Sequence, residues 1–338
     1  MEKLPKDKSP IAIATGDWHI HPFTNGGTPS QRLTISLDAA AVIVRKAKSL
    51  GVPILFTGDF FHTPKSISTE VHSIIHSWLN HYVTQAQVNF IAIDGNHDLS
   101  QKNTLANESP SHLRAFQPKA FFHRLSNQWF KILKPNGGTK LQVWGIPYYD
   151  YESDWFKAIR ASTKESKTEK ADYRILLLHG NAPGAKVPHG FEVESNLDLD
   201  YLSKRWDLVL MGHIHKPQLL RPNICMVGSP IHQTSGDAGT EMGYWIIYED
   251  LTMELIPLNA QFPEFRKVES GTPGDTPNPK QDYLLFPPTV TGDTPDAGTE
   301  DFNPSHSSKK LARSYCRAMG ITEKPKLKAL IQILEDHD

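Results

Sequence analysis

The sequence predicts an α/β protein built on a largely parallel sheet, with a second group of strands packed on it. Two observations carry this. Short runs rich in Ile, Val and Leu, each stopping at a small or polar residue, have the pattern of strands covered on both faces. Stretches with apolar residues at helical spacing lie between them, and that alternation is the mark of a parallel sheet.

The strand runs are Ile11–Thr15, Val52–Thr57, Val88–Ile93, Arg174–Leu178 and Asp207–Met211. Each is too short for a helix. In Leu33–Leu50 the positions Leu33, Leu37, Ala40, Ala41, Val44 and Ala47 follow helical spacing, with Gly51 and Pro53 as stop signals. Ser68–Gln85 carries the stripe Val71, Ile74, Ile75, Trp78, Leu79 and Tyr82. Since Trp78 and Tyr82 extend a stripe that is already sufficient, a homodimer through this helix is expected, with packing on its own sheet as the equal alternative. Leu141–Ile146, Ile224–Val227, Tyr244–Tyr248 and Thr252–Leu258 read as consecutive strands with short connections, a second sheet on the first.

From Gly271 to Pro304 prolines alternate with Gly, Thr and Asp, the composition of an extended linker. The apolar island Tyr283–Phe286 reads as a flap over its own domain. Beyond it, Ser305 or Ser307 caps a helix carrying Leu311, Ala312, Tyr315 and Met319, and Pro325 starts another with Leu327, Leu330, Ile331 and Leu334. Neither helix is long enough to be stable alone, so both need a partner surface. The divisions are a main domain over 1–265, a linker over 266–304 and a helical docking tail over 305–338.

Lys+Arg 36 against Asp+Glu 37 leaves a net charge of -1, so no overall basic field announces a nucleic-acid partner. Any such contact must be a local patch. The two cysteines, Cys225 and Cys316, lack the spacing of a disulfide framework or a thiolate zinc site. With no long apolar run and no secretion signal, a cytoplasmic protein without a membrane span is expected.

The chemistry lies where the strand runs end. Gly16-Asp17-Trp18-His19 follows the first, Gly58-Asp59-Phe60-Phe61-His62 the second and Asp94-Gly95-Asn96-His97-Asp98 the third. His179-Gly180 ends the fourth and Gly212-His213-Ile214-His215 follows the fifth. One parallel sheet would gather all of them at one rim. Carboxylates, an amide oxygen and imidazoles without sulfur suit Mn2+ first, with Fe, Zn2+ or Mg2+ as alternatives. Asp17, His19, Asp59, Asn96, His179, His213 and His215 are too many ligands for one ion. Two ions about 3.5 to 4 Å apart, sharing a carboxylate, are expected.

The ordered set Asp-x-His, Gly-Asp-x-x-His, Gly-Asn-His-Asp, His, Gly-His-x-His resembles the calcineurin-like metallophosphoesterases. Within them the chain resembles the SbcD-like DNA double-strand-break repair nucleases. Gly58-Asp59-Phe60-Phe61-His62, the segment Trp206–Gln218 and Gly228-Ser229-Pro230 carry that likeness, and the Asp-Arg-Gly continuation of the phosphoprotein phosphatases is absent. The resemblance covers about residues 10 to 250 and does not extend residue by residue to the tail. It implies a four-layer α/β/β/α sandwich of two mixed sheets, followed by the Pro-rich linker and small helical tail. It implies one ion on Asp17, His19, Asp59 and His215, the other on Asp59, Asn96, His179 and His213, with Asp59 bridging. His97 is then the proton donor, Asp98 orients it and His62 helps to place the phosphate.

The function implied is metal-dependent phosphodiester hydrolysis, as a DNA exonuclease or endonuclease. An SbcC-like coiled-coil ATPase would dock on the tail, with DNA held on the tail's basic face as the alternative. The alternative is a small-molecule or cyclic-nucleotide phosphodiesterase, and a non-catalytic binding subunit is a third reading. A nuclease needs basic side chains around the site. Candidates are Arg32, Lys102, Arg114, Lys186 and His189, each of which reads equally as a solvated surface charge.

Overall fold

The computed structural model describes residues 8–25, 27–117, 119–133, 140–165, 171–188, 190–267 and 282–285. In chain order the first half runs β1 (Pro10–Thr15), α1 (Pro29–Leu50), β2 (Ile54–Phe56), α2 (Thr69–Leu79), β3 (Phe90–Ala92), β4 (Phe122–Arg124), β5 (Gln128–Leu133) and β6 (Lys140–Ile146). Then come α3 (Glu152–Glu165), β7 (Tyr173–His179), α4 (Leu199–Ser203), β8 (Leu208–Gly212), β9 (Gln218–Arg221), β10 (Ile224–Met226), β11 (Gly243–Tyr248) and β12 (Met253–Pro257). A final pair, β13 (Glu264–Lys267) and β14 (Asp282–Leu285), runs parallel.

Two mixed sheets form the body, in the orders β12-β11-β1-β2-β3-β4 and β5-β6-β7-β8-β10-β9. Their facing sides share a core of Ile11, Ala14, Leu55, Ile91, Val143, Leu177 and Leu210. The outer side of the first sheet is covered by α1 and α2, through Ala40, Val44, Ile75 and Leu79. The outer side of the second is covered by α3 and α4, through Trp155, Ile159 and Leu202. This is the four-layer α/β/β/α sandwich.

The strand assignments need correcting in one respect. The five runs expected in one parallel sheet divide between two, β1, β2 and β3 in the first and β7 and β8 in the second. Tyr244–Tyr248, expected in the second sheet, instead pairs antiparallel with β1. Apolar runs report burial on both faces and not the identity of the neighbour. β11 is buried at every position, so it must lie inside a sheet, while β12, partly or fully exposed at every position, suits the edge beside it.

Helix α1 begins four residues before the first apolar position, because Thr28 caps it. Its Oγ1 accepts the Gln31 N–H at 3.3 Å, while Gln31 Oε1 accepts the Thr28 N–H at 3.0 Å. Gly51, at φ 65°, closes it. The Ser68–Gln85 helix changes to a π-helical turn at Asn80. Trp78 is only 8% exposed and meets Trp18 edge-to-face at 5.9 Å, and Tyr82 packs against the same core. The side chains from which a dimer is expected are thus engaged within the chain.

The island Tyr283–Leu285 pairs as a strand with Glu264–Lys267, so the boundary at 265 falls inside a strand pair. The tail at 305–338 and His189 lie outside the described residues.

Candidate metal centre

The ends of β1, β2 and β3 and those of β7 and β8 converge, so both sheets furnish the site. Backbone bonds lock the loops together: Asp17 N–H donates to Gly58 O at 2.9 Å, and His19 N–H to Asp59 O at 3.1 Å. Asp17, His19, Asp59 and His213 take positive φ values of 49°, 42°, 56° and 101°. Such conformations cost on the order of 1–3 kcal/mol each and persist where the surroundings over-determine them. Here all four strained residues contribute side chains to the ligand groups. Gly95 shows how tight the approach is, since a Cβ there would stand 2.0 Å from Asp59 Oδ1 and 2.5 Å from its backbone nitrogen.

Among the described residues three groups of metal-ligating side chains gather here, one of them His19, His62 and His97, and the other two hold the expected ligands. Asp17, His19 and His215 bring their ligand atoms within 4.8 Å of one another, as do Asp59, His179 and His213. The His215 and His19 Nε2 atoms approach to 3.1 Å. Asn96 Oδ1 lies 3.0 Å from both His179 Nε2 and His213 Nδ1. Asp59 faces both groups, its Oδ2 at 3.3 Å from His179 Nε2 and 3.6 Å from His19 Nε2. The structure therefore brings together all the expected ligands, with Asp59 between the clusters.

The donor set fits divalent cations on a second ground. Among the described residues Asp17 Oδ2 is buried without a hydrogen-bond partner and Asp59 Oδ2 is buried with only imidazole nitrogens facing it, while the other oxygen of each accepts a backbone N–H, from His213 at 2.8 Å and His97 at 2.9 Å. An orphaned buried carboxylate oxygen is costly unless a cation meets it. The histidines are also oriented for ligation. His179 Nδ1–H donates to Thr57 O at 2.7 Å, which leaves Nε2 toward Asp59. His215 Nδ1 faces Asp237 Oδ1 at 3.6 Å, the arrangement of a carboxylate behind a metal-bound imidazole. Asp237 escaped the sequence reading, since only the Thr-Ser-Gly-Asp turn marks it. It is pinned by the N–H groups of Gln233 and Thr234 at 2.8 and 2.9 Å.

His97 stacks on His62 at 5.2 Å and 15°, and its Nδ1–H donates to the His62 carbonyl oxygen. This fixes the ring through Nδ1, so a second proton would sit on Nε2. The expected role of Asp98 is corrected. Its carboxylate accepts N–H bonds from Phe60, Phe61 and Gly95, each at 3.0 Å, so it ties the second and third loops together, while the His62 carbonyl orients His97.

Arg32 is corrected as well. It is 1% exposed, donates to Gln233 O at 2.9 Å and lies over the Phe23 and Phe265 rings, so it braces the fold and has no surface to offer a phosphate. Lys102 is exposed, with its ammonium 5.7 Å above the Tyr151 ring. Arg114 and Lys186 are exposed and face Glu108 and Glu192 at 3.6 and 3.8 Å.

Residues 12–217 match the model of the calcineurin-like phosphoesterase family, and the chain belongs to that family of metal-dependent hydrolases. It is 28% identical over 246 residues to the uncharacterized protein R555 of Acanthamoeba polyphaga mimivirus, a match spanning 69% of this chain and 17% of that protein. Among solved structures it is similar to the calcineurin-like phosphoesterase YfkN from Bacillus subtilis, at 12% identity and TM-score 0.40 over 74% of this chain and 89% of that one. It is also similar to a hypothetical protein from Thermus thermophilus, at 17% identity and TM-score 0.38 over 64% of this chain and 76% of that one. Among the described residues no helix is long and apolar enough to cross a membrane.

Metal binding is expected to depend on pH through His179. Burial alone would lower its pKa, but the carboxylates of Asp59 and Asp17 outweigh burial and lift it to about 9. A cation must displace that proton, so Mn2+ affinity is expected to rise with pH up to about 9 and release a proton on binding. Without a cation the protonated pair adds stability that is complete below the ordinary value of 6.5 and is lost as pH rises through 9. Calorimetric titration of Mn2+ in buffers of different ionisation enthalpy measures the release. Affinity unchanged between pH 6 and 9 would remove His179 from the ligand set.

Proposed function

We propose that the chain hydrolyses phosphodiester bonds in DNA, as the SbcD-like repair nucleases do. The observation that carries this is the placing of His97, buried against the ligand clusters, 4.7 Å from the His19 ring and held by the His62 carbonyl. Bound divalent ions supply Lewis-acid neutralisation of phosphate charge and make an attacking water more acidic. Cleavage of a DNA diester expels a strongly basic alkoxide, which needs a proton as the bond breaks. His97 stands where its Nε2 can donate one. His62 contributes its carbonyl as the orienting acceptor and its ring as a stacking wall.

The other two motifs that resemble SbcD-like chains support the same site. In Gly228-Ser229-Pro230, Ser229 N–H donates to His215 O at 2.8 Å, and a Cβ on Gly228 would stand 2.6 Å from that same oxygen. Trp206, at the head of the segment leading to His213, is buried under the second sheet.

The test is purified protein with Mn2+ on linear duplex, single-stranded and hairpin DNA, beside bis-p-nitrophenyl phosphate and cyclic nucleotides. Cleavage of DNA strands with cyclic nucleotides left intact is the expected result. Hydrolysis of cyclic nucleotides without DNA cleavage would replace this reading with that of a small-molecule phosphodiesterase.

A further inference from the structure

Asp94, at the end of β3, has no part in the ligand clusters, yet it is fully buried. Its Oδ2 accepts from Arg124 Nε at 2.8 Å and lies 2.6 Å from Arg124 Nη2, and its Oδ1 accepts from Ser111 Oγ. Arg124, on β4, is buried too and donates from Nη2 to Glu108 Oε1 at 2.7 Å. Two charges withdrawn from water cost more than an apolar pair of the same volume often would, so stability alone does not explain them here.

Their surroundings do. The Asp94 carbonyl accepts the Tyr148 N–H at 3.0 Å, and the Tyr148 ring lies 6.0 and 6.2 Å from the His213 and His179 rings. Asp94 thus joins the end of the first sheet to the loop beside the ligands of the second. The next residues are Gly95, which has no room for a Cβ against Asp59, and Asn96 and His97. The turn is clamped, with Asp59 on one side and the Arg124 pair on the other.

We propose that Arg124 and Asp94 are a positioning pair that sets the Gly95-Asn96-His97 turn. Through the turn they place Asn96 Oδ1 as a metal ligand and His97 Nε2 as the proton donor. The inference rests on the roles given above to Asn96 and His97.

The experiment compares the parent with Arg124→Lys, the double variant Asp94→Leu with Arg124→Met, and Asn96→Ala. Mn2+ titration, thermal unfolding, and kcat and KM on bis-p-nitrophenyl phosphate are measured for each. The double variant leaves no unpaired buried charge, so it is expected to unfold near the parent temperature. It should bind one of the two ions about 10- to 100-fold more weakly, the scale for lost support behind a ligand. Its kcat should fall with KM little changed. Arg124→Lys keeps the charge but not the planar guanidinium contact, and is expected to show the same selective loss should the double variant not fold. Parent-like binding of both ions in either folded variant, or equal weakening of both in step with lost stability, overturns the proposal. If Asn96→Ala binds both ions normally, the ligand assignment itself fails and takes the positioning role with it.

Discussion

Asp59→Ala is expected to abolish hydrolysis and metal retention together. Its carboxylate is the group that faces both clusters, 3.3 Å from His179 Nε2 and 3.6 Å from His19 Nε2. Although burial would raise its pKa, His179 and His97 beside it hold it well below the ordinary carboxylate range, so it is an anion at every working pH. Alanine removes the negative charge common to both clusters and the acceptor that fixes the His97 backbone at 2.9 Å. Metal analysis after dialysis should find no Mn2+ on the variant, and its activity on bis-p-nitrophenyl phosphate should fall to background. Retention of both ions would show that Asp59 does not bridge.

His97→Ala is expected to behave differently, with both ions retained and DNA cleavage slowed by about 10²- to 10⁴-fold, the usual worth of a positioned proton donor. The loss should depend on the leaving group. p-Nitrophenolate departs without a proton, so hydrolysis of bis-p-nitrophenyl phosphate should suffer far less than cleavage of a DNA strand. Equal losses on both substrates would show that His97 acts on the attack or on binding, and an unchanged rate on DNA would remove it from the mechanism.

The candidate ligands were legible in the sequence because Asp17, Asp59, Asn96, His179 and His213 each stand beside a glycine near the end of an apolar run, and a strand end fixes where such a residue goes. The division of those strands between two sheets was not legible. Val52–Thr57 and Asp207–Met211 look alike as sequence, yet they belong to different sheets, and pairing depends on neighbours distant in the chain. The same distance hid Arg32. Nothing near it announces that Phe23 and Phe265 will close over its guanidinium, or that the carbonyl of Gln233 will accept from it. Asp98 misled for the opposite reason. Adjacency to His97 suggested a partner, but the 3₁₀ turn Asn96–Asp98 sends the carboxylate toward the N–H groups of Phe60 and Phe61. Asp237 sits in an irregular turn with no periodicity to mark it, and is found only by looking behind His215.

Because Asp17, His19, Asp59 and Asn96 extend from the first sheet and His179, His213 and His215 from the second, any cation bound among them is also a rivet through the sandwich. Each ion would join two halves that otherwise adhere through a shared apolar core and a few hydrogen bonds across it, such as His213 N–H to Asp17 Oδ1 at 2.8 Å and Trp245 Nε1–H to Val227 O at 3.0 Å. Loading with Mn2+ should raise the unfolding temperature in proportion to the logarithm of its concentration above the dissociation constant. Conversely, any substitution that lets one sheet shift over the other should first be felt as a looser hold on metal, before the protein shows any loss of secondary structure.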